Sequence, residues 1–163
     1  MATGNTILVF GPLHNEIALA NWVKIDQRNQ HVCLAFDDAG ASNTALFSAV
    51  LPRHYAGGGL TVYVHWSATA TSGTVGWLVA FERVGDGIQD VDADGFAADQ
   101  TITAVTVPAT SGNVDITNVA VSNGANMDSI AVGELFRLRI KRDVATDTAV
   151  GDAQLYGCEL KET

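Results

Sequence analysis

The chain has few cysteines, few basic residues and no long apolar run. Only two of its 163 residues are cysteine, which is too few for a disulfide-stapled scaffold. No stretch approaches the roughly 18 apolar residues that a membrane-spanning helix needs. The nine basic residues are outnumbered by eighteen acidic ones, whereas a nucleic-acid groove needs a basic footprint. The composition therefore disfavours nucleic acid and anionic membranes as partners.

The first residues and the two cysteines favour synthesis and folding in a cytoplasm. Residues 1–5 (MATGN) lack the basic segment and the apolar stretch of a secretory signal. Cys33 and Cys158 each lie in an apolar run, as is typical of small buried side chains. A Cys33–Cys158 disulfide is the alternative.

No catalytic signature is present along the chain. The three glycines at 57–59 lack the spacing and the following helix of a phosphate-binding loop. No nucleophile elbow occurs, and no Cys/His cluster has the spacing of zinc ligands. His65 is interpreted as a surface or interface histidine. The sequence therefore indicates a protein that is not an enzyme and has no resident cofactor.

Much of the chain alternates apolar and polar residues with the period of two that is typical of β-strands. Residues 60–70 (LTVYVHWSATA) alternate apolar and polar side chains, and residues 74–84 (TVGWLVAFERV) have a similar alternation. Period two with β-branched and aromatic residues predicts strands. The turn residues at 71–73 predict that the two strands form a hairpin. Trp66 and Trp77, on one face of these strands, predict the centre of a core.

Seven further runs have strand character and bring the total to about nine. They cover residues 6–10, 31–36, 44–51, 101–107, 114–121, 135–141 and 153–160. Residues 17–23 and 126–131 are interpreted as short helical turns. We expect an all-β fold, a jelly-roll-like two-sheet β-sandwich of about eight to nine strands; an immunoglobulin-like sandwich is the alternative. Residues 1–163 form a single domain in this interpretation, with residues 1–50 supplying an N-terminal arm and the first strands.

The acidic segment DVDADG matches the start of a calcium loop. Asp90, Asp92 and Asp94 take the oxygen-donating positions 1, 3 and 5 of such a loop. Position 12, where a bidentate glutamate belongs, is Thr101, and no flanking helices are predicted, so this is not an EF-hand. The three aspartates are the candidate ligands of a looser Ca²⁺ site. A solvated acidic loop that ends in a packed Phe96 is the alternative.

Short phrases in the last two thirds of the chain resemble a family of small β-proteins. They are LPRHYAGGGL at 51–60, HW at 65–66, FER at 81–83 and GDAQL at 151–155. The family is that of tailed-phage virion structural proteins, which includes jelly-roll capsid decoration (cement) proteins and related head and tail fibre domains, usually trimers. The resemblance implies a jelly-roll fold and a place in the virion, after synthesis in the host cytoplasm.

The first function implied by the resemblance is that of a homotrimeric capsid decoration or cement protein that binds and stabilises the phage head. Its expected partners are further copies of itself and the major capsid protein or another virion protein. The expected interface residues are Tyr55, Gly57, Gly58, Arg137 and Arg139. The basic row of residues 137–141 is expected to meet the acidic loop of a neighbouring subunit.

The alternative function is that of a carbohydrate- or receptor-binding β-sandwich in a phage tail fibre. It predicts exposed aromatic side chains that stack on sugar rings, together with calcium at the acidic loop. Tyr63 and Tyr156 are the candidates on the exposed side, whereas the pattern predicts that Trp22, Trp66 and Trp77 are buried. Because so few aromatic side chains remain for a binding surface, the sequence favours the decoration protein.

Overall fold

The computed structural model describes residues 4–39 and 43–163, and over these residues the chain is built from ten β-strands. The strands are β1 (Thr6–Phe10), β2 (Lys24–Arg28), β3 (His31–Phe36), β4 (Thr44–Val50), β5 (Leu60–Ala68), β6 (Thr74–Val84), β7 (Gln100–Thr106), β8 (Asp115–Val121), β9 (Leu135–Arg142) and β10 (Ala153–Glu162). Single turns of 3-10 helix occur at Pro12–His14 and Ala125–Met127. No helix in the described ranges has the length and apolar character to cross a membrane.

The strands form two antiparallel sheets that pack face to face. Sheet A has the order β2-β3-β10-β5-β8, with β1 also paired to β10, and sheet B has the order β4-β9-β6-β7. The predicted all-β, jelly-roll-like sandwich is therefore confirmed, with one more strand than expected. The extra strand is β2, four of whose five residues are exposed. A strand that buries no face has no alternating pattern by which the sequence could reveal it.

The predicted hairpin of residues 60–70 and 74–84 is wrong. β5 belongs to sheet A and β6 to sheet B, so the short segment between them crosses from one sheet to the other. Trp66 and Trp77 meet across the sandwich in a T-shaped contact, with ring centroids 6.0 Å apart. Their prediction as the centre of the core is confirmed. Alternation shows which side chains face inward, but it does not distinguish a strand that pairs with its neighbour from one that packs opposite it.

The core fills the space between the sheets with aromatic and aliphatic side chains. Phe36 contacts Trp77 edge-on at 5.0 Å between ring centroids, and Phe81 packs on Phe136 at 5.8 Å. Both cysteines are buried and unbridged, as their apolar surroundings predict. Burial raises the pKa of both thiols, so neither side chain presents a reactive thiolate at neutral pH.

Of the two predicted helical turns, the one at residues 126–131 is confirmed in part by the 3-10 turn Ala125–Met127, and the one at 17–23 is wrong. The latter segment runs along the edge of sheet B, where Trp22 makes an isolated bridge with Thr44. Trp22 was predicted to be buried and is 58% exposed. A run of apolar residues beside a sheet edge has the composition of a buried segment, although its side chains can remain exposed.

Candidate functional site

A groove crosses the outer face of sheet A, the side away from sheet B, where two strands share one edge of β10. β3 pairs with residues 153–155 of β10 and β1 pairs with residues 158–161. On the other edge, the register with β5 shifts between Leu155 and Gly157, so Tyr156 lies at a bulge. The end of β1 and the end of β3 leave an opening beside this bulge.

Two cavities on this face meet at the Tyr156 ring. The first, of about 300 Å³, is lined by Val9, His65 and Glu159 among others. The second, of about 490 Å³, is lined by Arg28 and His31 at its far end. Tyr156 lines both, so the two cavities adjoin at this ring. Together they are termed the Tyr156 groove, which is defined by Val9, His65, Glu159, Tyr156, Arg28 and His31.

The Tyr156 ring is held over the surface of the sheet by a chain of hydrogen bonds. Its hydroxyl lies 3.1 Å from Ser67 Oγ, which in turn donates to Gln154 Oε1 at 3.2 Å. Arg28 Nη1 donates to the same Gln154 oxygen at 2.9 Å. Ser67 follows the inward-facing Trp66, so its side chain points away from the core, yet it is fully buried. The Tyr156 side chain that reaches it therefore lies across the outward side of sheet A, where it is half-buried and lines both cavities.

The side chains beside the ring are polar and accessible. Gly157 is the register partner of His65, and because it has no side chain the imidazole faces an open cavity. A Cβ at Gly157 would lie 3.0 Å from the Phe10 carbonyl oxygen, so the glycine also lets the end of β1 approach. Glu159, two residues along β10, adds carboxylate acceptors to the same cavity. Hydrogen-bonding groups thus flank an exposed aromatic face.

Tyr63 lies on the same face as Tyr156 but lines neither of these two cavities. Its ring is approached by Lys161 Nζ, 6.0 Å from the ring centroid. Both tyrosines are half-buried on the outward side. For Tyr63 this follows from the alternation of β5, whereas Tyr156 is turned outward by the bulge of β10. Of the two, Tyr156 alone lines a cavity with His65, and no signal in the sequence predicts this difference, because the bulge of β10 and the ends of β1 and β3 create it.

The aspartates of the acidic segment do not converge on a common point. Asp90 Oδ1 accepts the Asp92 N–H at 3.0 Å, and Asp94 Oδ1 accepts the Gly95 N–H at 2.9 Å. Among residues 4–39 and 43–163, no three His, Cys, Asp or Glu side chains are grouped so that they could hold a metal ion. The geometry therefore gives the calcium site at Asp90, Asp92 and Asp94 no support, and it stays a prediction.

The basic row of β9 is paired within its own chain. Arg139 Nη2 donates to Asp99 Oδ1 at 2.9 Å, and Lys141 Nζ donates to Asp99 Oδ2 at 2.6 Å. Arg137 Nη1 donates to Glu82 Oε2 at 3.0 Å. Arg139 and Lys141 thus meet Asp99 of their own chain, and contact of the basic row with a neighbouring subunit's loop stays a prediction. A place for Arg137 and Arg139 in an interface stays a prediction.

Asp99→Asn is expected to lower the free energy of unfolding at pH 7 by about 1 kcal/mol. Burial raises the pKa of Asp99, but the hydrogen bonds from Lys141 and Arg139 outweigh it and leave the pKa below its ordinary value. Such a carboxyl stabilises the fold above its unfolded pKa of about 3.9, and the contribution is lost as the pH falls through the lower folded value.

Urea unfolding at pH 7 and at pH 3 measures this effect. The variant and the wild type should differ at pH 7 and approach each other in acid. Asp86→Asn removes an equal charge from an exposed position of the same acidic region and should have no effect at either pH. A difference for Asp99→Asn that is the same at both pH values would contradict the prediction.

Tyr55 lies in the core and anchors the glycine loop. It is 7% exposed, and its hydroxyl accepts the Gly59 N–H at 2.7 Å. Gly59 has a φ of +107°, and a Cβ there would lie 2.6 Å from the Val121 carbonyl oxygen, so only glycine fits. The burial of Tyr55 corrects its expected place in a subunit interface. Gly57 and Gly58 are exposed, and their interface role stays a prediction.

No protein-family model and no curated protein matches the chain, but solved structures share its fold. One is the C-terminal CBM6 of the marine laminarinase LamC from Zobellia galactanivorans, with TM-score 0.52 and 10% identity over 97% of this chain and 100% of that one. Another is the carbohydrate-binding module CBM6cm-2 of Cellvibrio mixtus lichenase 5A in complex with cellotriose, with TM-score 0.50 and 12% identity over 98% and 99%. At these identities the likeness shows the fold alone.

The chain also matches two larger proteins over only a part of their length. The chain spans 28% of a Clostridium thermocellum xylanase 10B that carries CBM22-1 and GH10 modules, with TM-score 0.48 and 12% identity over 99% of this chain. It spans 18% of a Paenibacillus cycloisomaltooligosaccharide glucanotransferase, with TM-score 0.49 and 10% identity over 93% of this chain.

Proposed function

We propose that the chain is a non-catalytic carbohydrate-binding β-sandwich that binds a glycan in the Tyr156 groove. The observation that carries the proposal is the half-buried Tyr156 ring, whose hydroxyl is held at Ser67 and which lines two cavities with polar side chains on both sides. The fold supports it as well, since the modules from LamC and lichenase 5A are carbohydrate-binding modules on the same two-sheet framework. This is the alternative that the sequence offered.

The chemistry of the groove suits a sugar ring. The C–H face of a pyranose is apolar and stacks on an aromatic ring, while its hydroxyl groups need donors and acceptors around the edge. His65 and Glu159 supply these on one side of Tyr156, and Arg28 and His31 supply them on the other. The cavities of about 300 and 490 Å³ lie toward the lower end of the size range of ligand sites. Because the ring is held before any ligand arrives, little ordering cost is left for binding.

Replacing Tyr156 with alanine is expected to weaken glycan binding by about 30-fold, the equivalent of about 2 kcal/mol. The measurement is isothermal titration of the chain with neutral β-linked oligosaccharides, such as cellotetraose and xylotetraose, after a glycan array has chosen the tightest. Tyr63→Ala is the matched control, because Tyr63 lies on the same face but lines neither cavity of the groove. It should bind as the wild type does.

Two results would count against the proposal. One is binding that survives Tyr156→Ala but is lost with Tyr63→Ala, which would move the site along β5. The other is an array on which the folded chain binds no glycan. Far-ultraviolet circular dichroism of each variant shows whether the fold is intact.

A second candidate is the homotrimeric capsid decoration or cement protein. An exposed apolar surface favours it: Leu13, Ile25 and Val32 line a common cavity of about 300 Å³. Their exposed fractions are 75%, 61% and 38%. Apolar side chains that lie together in solvent mark contact sites for other proteins. The proposal that such a contact is made in a virion depends on the sequence resemblance alone. Light scattering of the same solutions separates the two candidates: a mass of three chains without glycan binding favours the decoration protein.

A further inference from the structure

Arg28 ends the Tyr156 groove as a cation without an anionic partner. The ion pairs of the described residues use Arg83, Arg137, Arg139, Lys141 and Arg142, and Arg28 takes part in none of them. Its hydrogen bonds go to neutral acceptors only: Nη1 to Ala68 O at 3.1 Å, Nη1 to Gln154 Oε1 at 2.9 Å and Nη2 to Ser111 Oγ at 2.8 Å. The guanidinium is thus fixed in position, and no carboxylate of the described residues forms an ion pair with it.

The donors that remain on Arg28 have the arrangement that a carboxylate needs. A guanidinium has five N–H groups, and the three hydrogen bonds use both of those on Nη1 and one of those on Nη2. One N–H on Nε and one on Nη2 are left; these adjacent nitrogens, termed the Arg28 fork, are the pair through which a guanidinium can bind both oxygens of a carboxylate. Nε is absent from the buried unpaired atoms of the described residues, so it reaches solvent.

Gly112 holds the guanidinium without covering this fork. A Cβ at Gly112 would lie 2.7 Å from Arg28 Cζ, 2.8 Å from Nη2 and 2.9 Å from Nε. Because the central carbon is the nearest of the three atoms, the glycine faces the plane of the guanidinium and not its edge. The Gly112 N–H donates to Ala68 O at 3.2 Å, the same oxygen that Arg28 binds. The edge of the guanidinium is left free in the cavity that Arg28 lines.

The β2–β3 hairpin places His31 beside the fork. Asn29 and Gln30 have φ values of 47° and 67°, as in the tight two-residue turns that join twisted strands. Arg28 and His31 are register partners across this turn, and both line the same cavity. His31 Nδ1 lies 2.9 Å from Asn29 O, which leaves Nε2 for a ligand. A second nitrogen is thus available near the place where the Arg28 fork binds an anion.

We infer that the groove takes an acidic glycan, in which a uronic-acid unit binds the Arg28 fork through its carboxylate while a neighbouring sugar stacks on Tyr156. The inference rests on the proposed function and narrows its substrate class. The chain has a net charge of −9. Two of its carboxylates lie near the groove: Asp26 is on the same side of β2 as Arg28, and Glu159 lies at the other end of the groove. A polyanion would be repelled by these charges, so the fitting glycan is mainly neutral with isolated uronic units.

The test compares two oligosaccharides that differ only in the carboxylate. Isothermal titration is carried out with a xylotetraose bearing one glucuronic acid branch and with the same compound after reduction of the carboxyl to a primary alcohol. We expect the wild type to bind the acid about tenfold more tightly or better, since a bidentate charge-assisted pair forms only with the acid. Equal affinity of the wild type for the two compounds would overturn the inference and leave the proposed function in place. If neither compound nor any neutral oligosaccharide binds, both fail.

Variants locate the effect at Arg28. Arg28→Lys keeps the charge and loses the fork, so the ratio of the two affinities, which measures the preference for the acid, should fall to about twofold or less; the ratio is the readout because Arg28 also lines the cavity and binds Gln154. Lys24→Gln removes a positive charge from the same side of β2 without touching the groove and should keep the preference. Arg28 also binds Gln154 and Ala68, so Gly112→Ala, which displaces the guanidinium, serves as the second variant. A preference retained in both Arg28→Lys and Gly112→Ala would also overturn the inference.

Discussion

Replacing Arg142 with methionine is expected to lower the free energy of unfolding by about 3–5 kcal/mol. The side chain is fully buried, forms an ion pair with Asp147 and donates to the carbonyl oxygens of Phe36 at 2.9 Å, Ala149 at 2.8 Å and Gly151 at 2.6 Å. Methionine of similar length fills the space but leaves the buried Asp147 carboxylate and three carbonyl groups without these partners. The loss is a large part of the stability of an ordinary domain, which is about 5–15 kcal/mol.

Urea unfolding followed by tryptophan fluorescence measures the loss, and the melting temperature should fall by about 6–20 °C. The double variant Arg142→Met/Asp147→Leu removes the stranded carboxylate as well and should recover part of the loss. If the double variant is less stable than Arg142→Met, the buried charge of Asp147 is not the cause of the lowered free energy of unfolding. A loss below about 1 kcal/mol for the single variant would mean that water satisfies the four oxygen acceptors.

Replacing the two core tryptophans with phenylalanine is expected to have unequal effects, with Trp66→Phe costing about 1–3 kcal/mol more than Trp77→Phe. Both side chains are fully buried, so both variants lose a similar volume. Trp66 Nε1 donates to Thr117 Oγ1 at 3.2 Å. Trp66→Phe removes this donor and leaves the buried Thr117 hydroxyl without it. Trp77 Nε1 is buried without a partner in the described part of the chain, so phenylalanine there removes a donor that is already unsatisfied.

Denaturant unfolding of the two variants and the wild type in one buffer measures the difference. Trp77→Ala is a reference variant, for which the free energy of unfolding should fall by about 3–5 kcal/mol. Thr117→Val in the Trp66→Phe background is the control, because it removes the stranded hydroxyl and should reduce the cost. Equal losses for Trp66→Phe and Trp77→Phe would contradict the prediction.

The sequence predicted those elements whose side chains alternate between core and solvent. β5 and β6 were found within two residues at each end, because burial of one face leaves a period of two in the sequence. The same parity places Arg142 inside, two residues after Ile140 on β9. β2 was missed because it buries no face, and Arg28 was therefore not a candidate residue.

The groove itself has no local signature. It exists because β1 and β3 pair with different parts of one edge of β10, and these strands are far apart in the sequence. Strict alternation along β10 would place Tyr156 on the side of Cys158 and Leu160, and the bulge turns it outward instead. Its neighbours, His65 from β5 and Arg28 from β2, are brought to it by strand pairing that composition and periodicity do not encode.

The shared edge of β10 also determines when sheet A can form. β10 pairs with β1, β3 and β5, so without it the sheet divides into the β2–β3 hairpin, the β5–β8 pair and an unpaired β1. During synthesis these pieces leave the ribosome before β10 does. Their edges stay unpaired until β10 emerges. Closure over such long sequence separations is slow, and until it occurs the exposed edges favour pairing with other chains. The strand that builds the groove is therefore also the one that covers the facing edges of β1, β3 and β5.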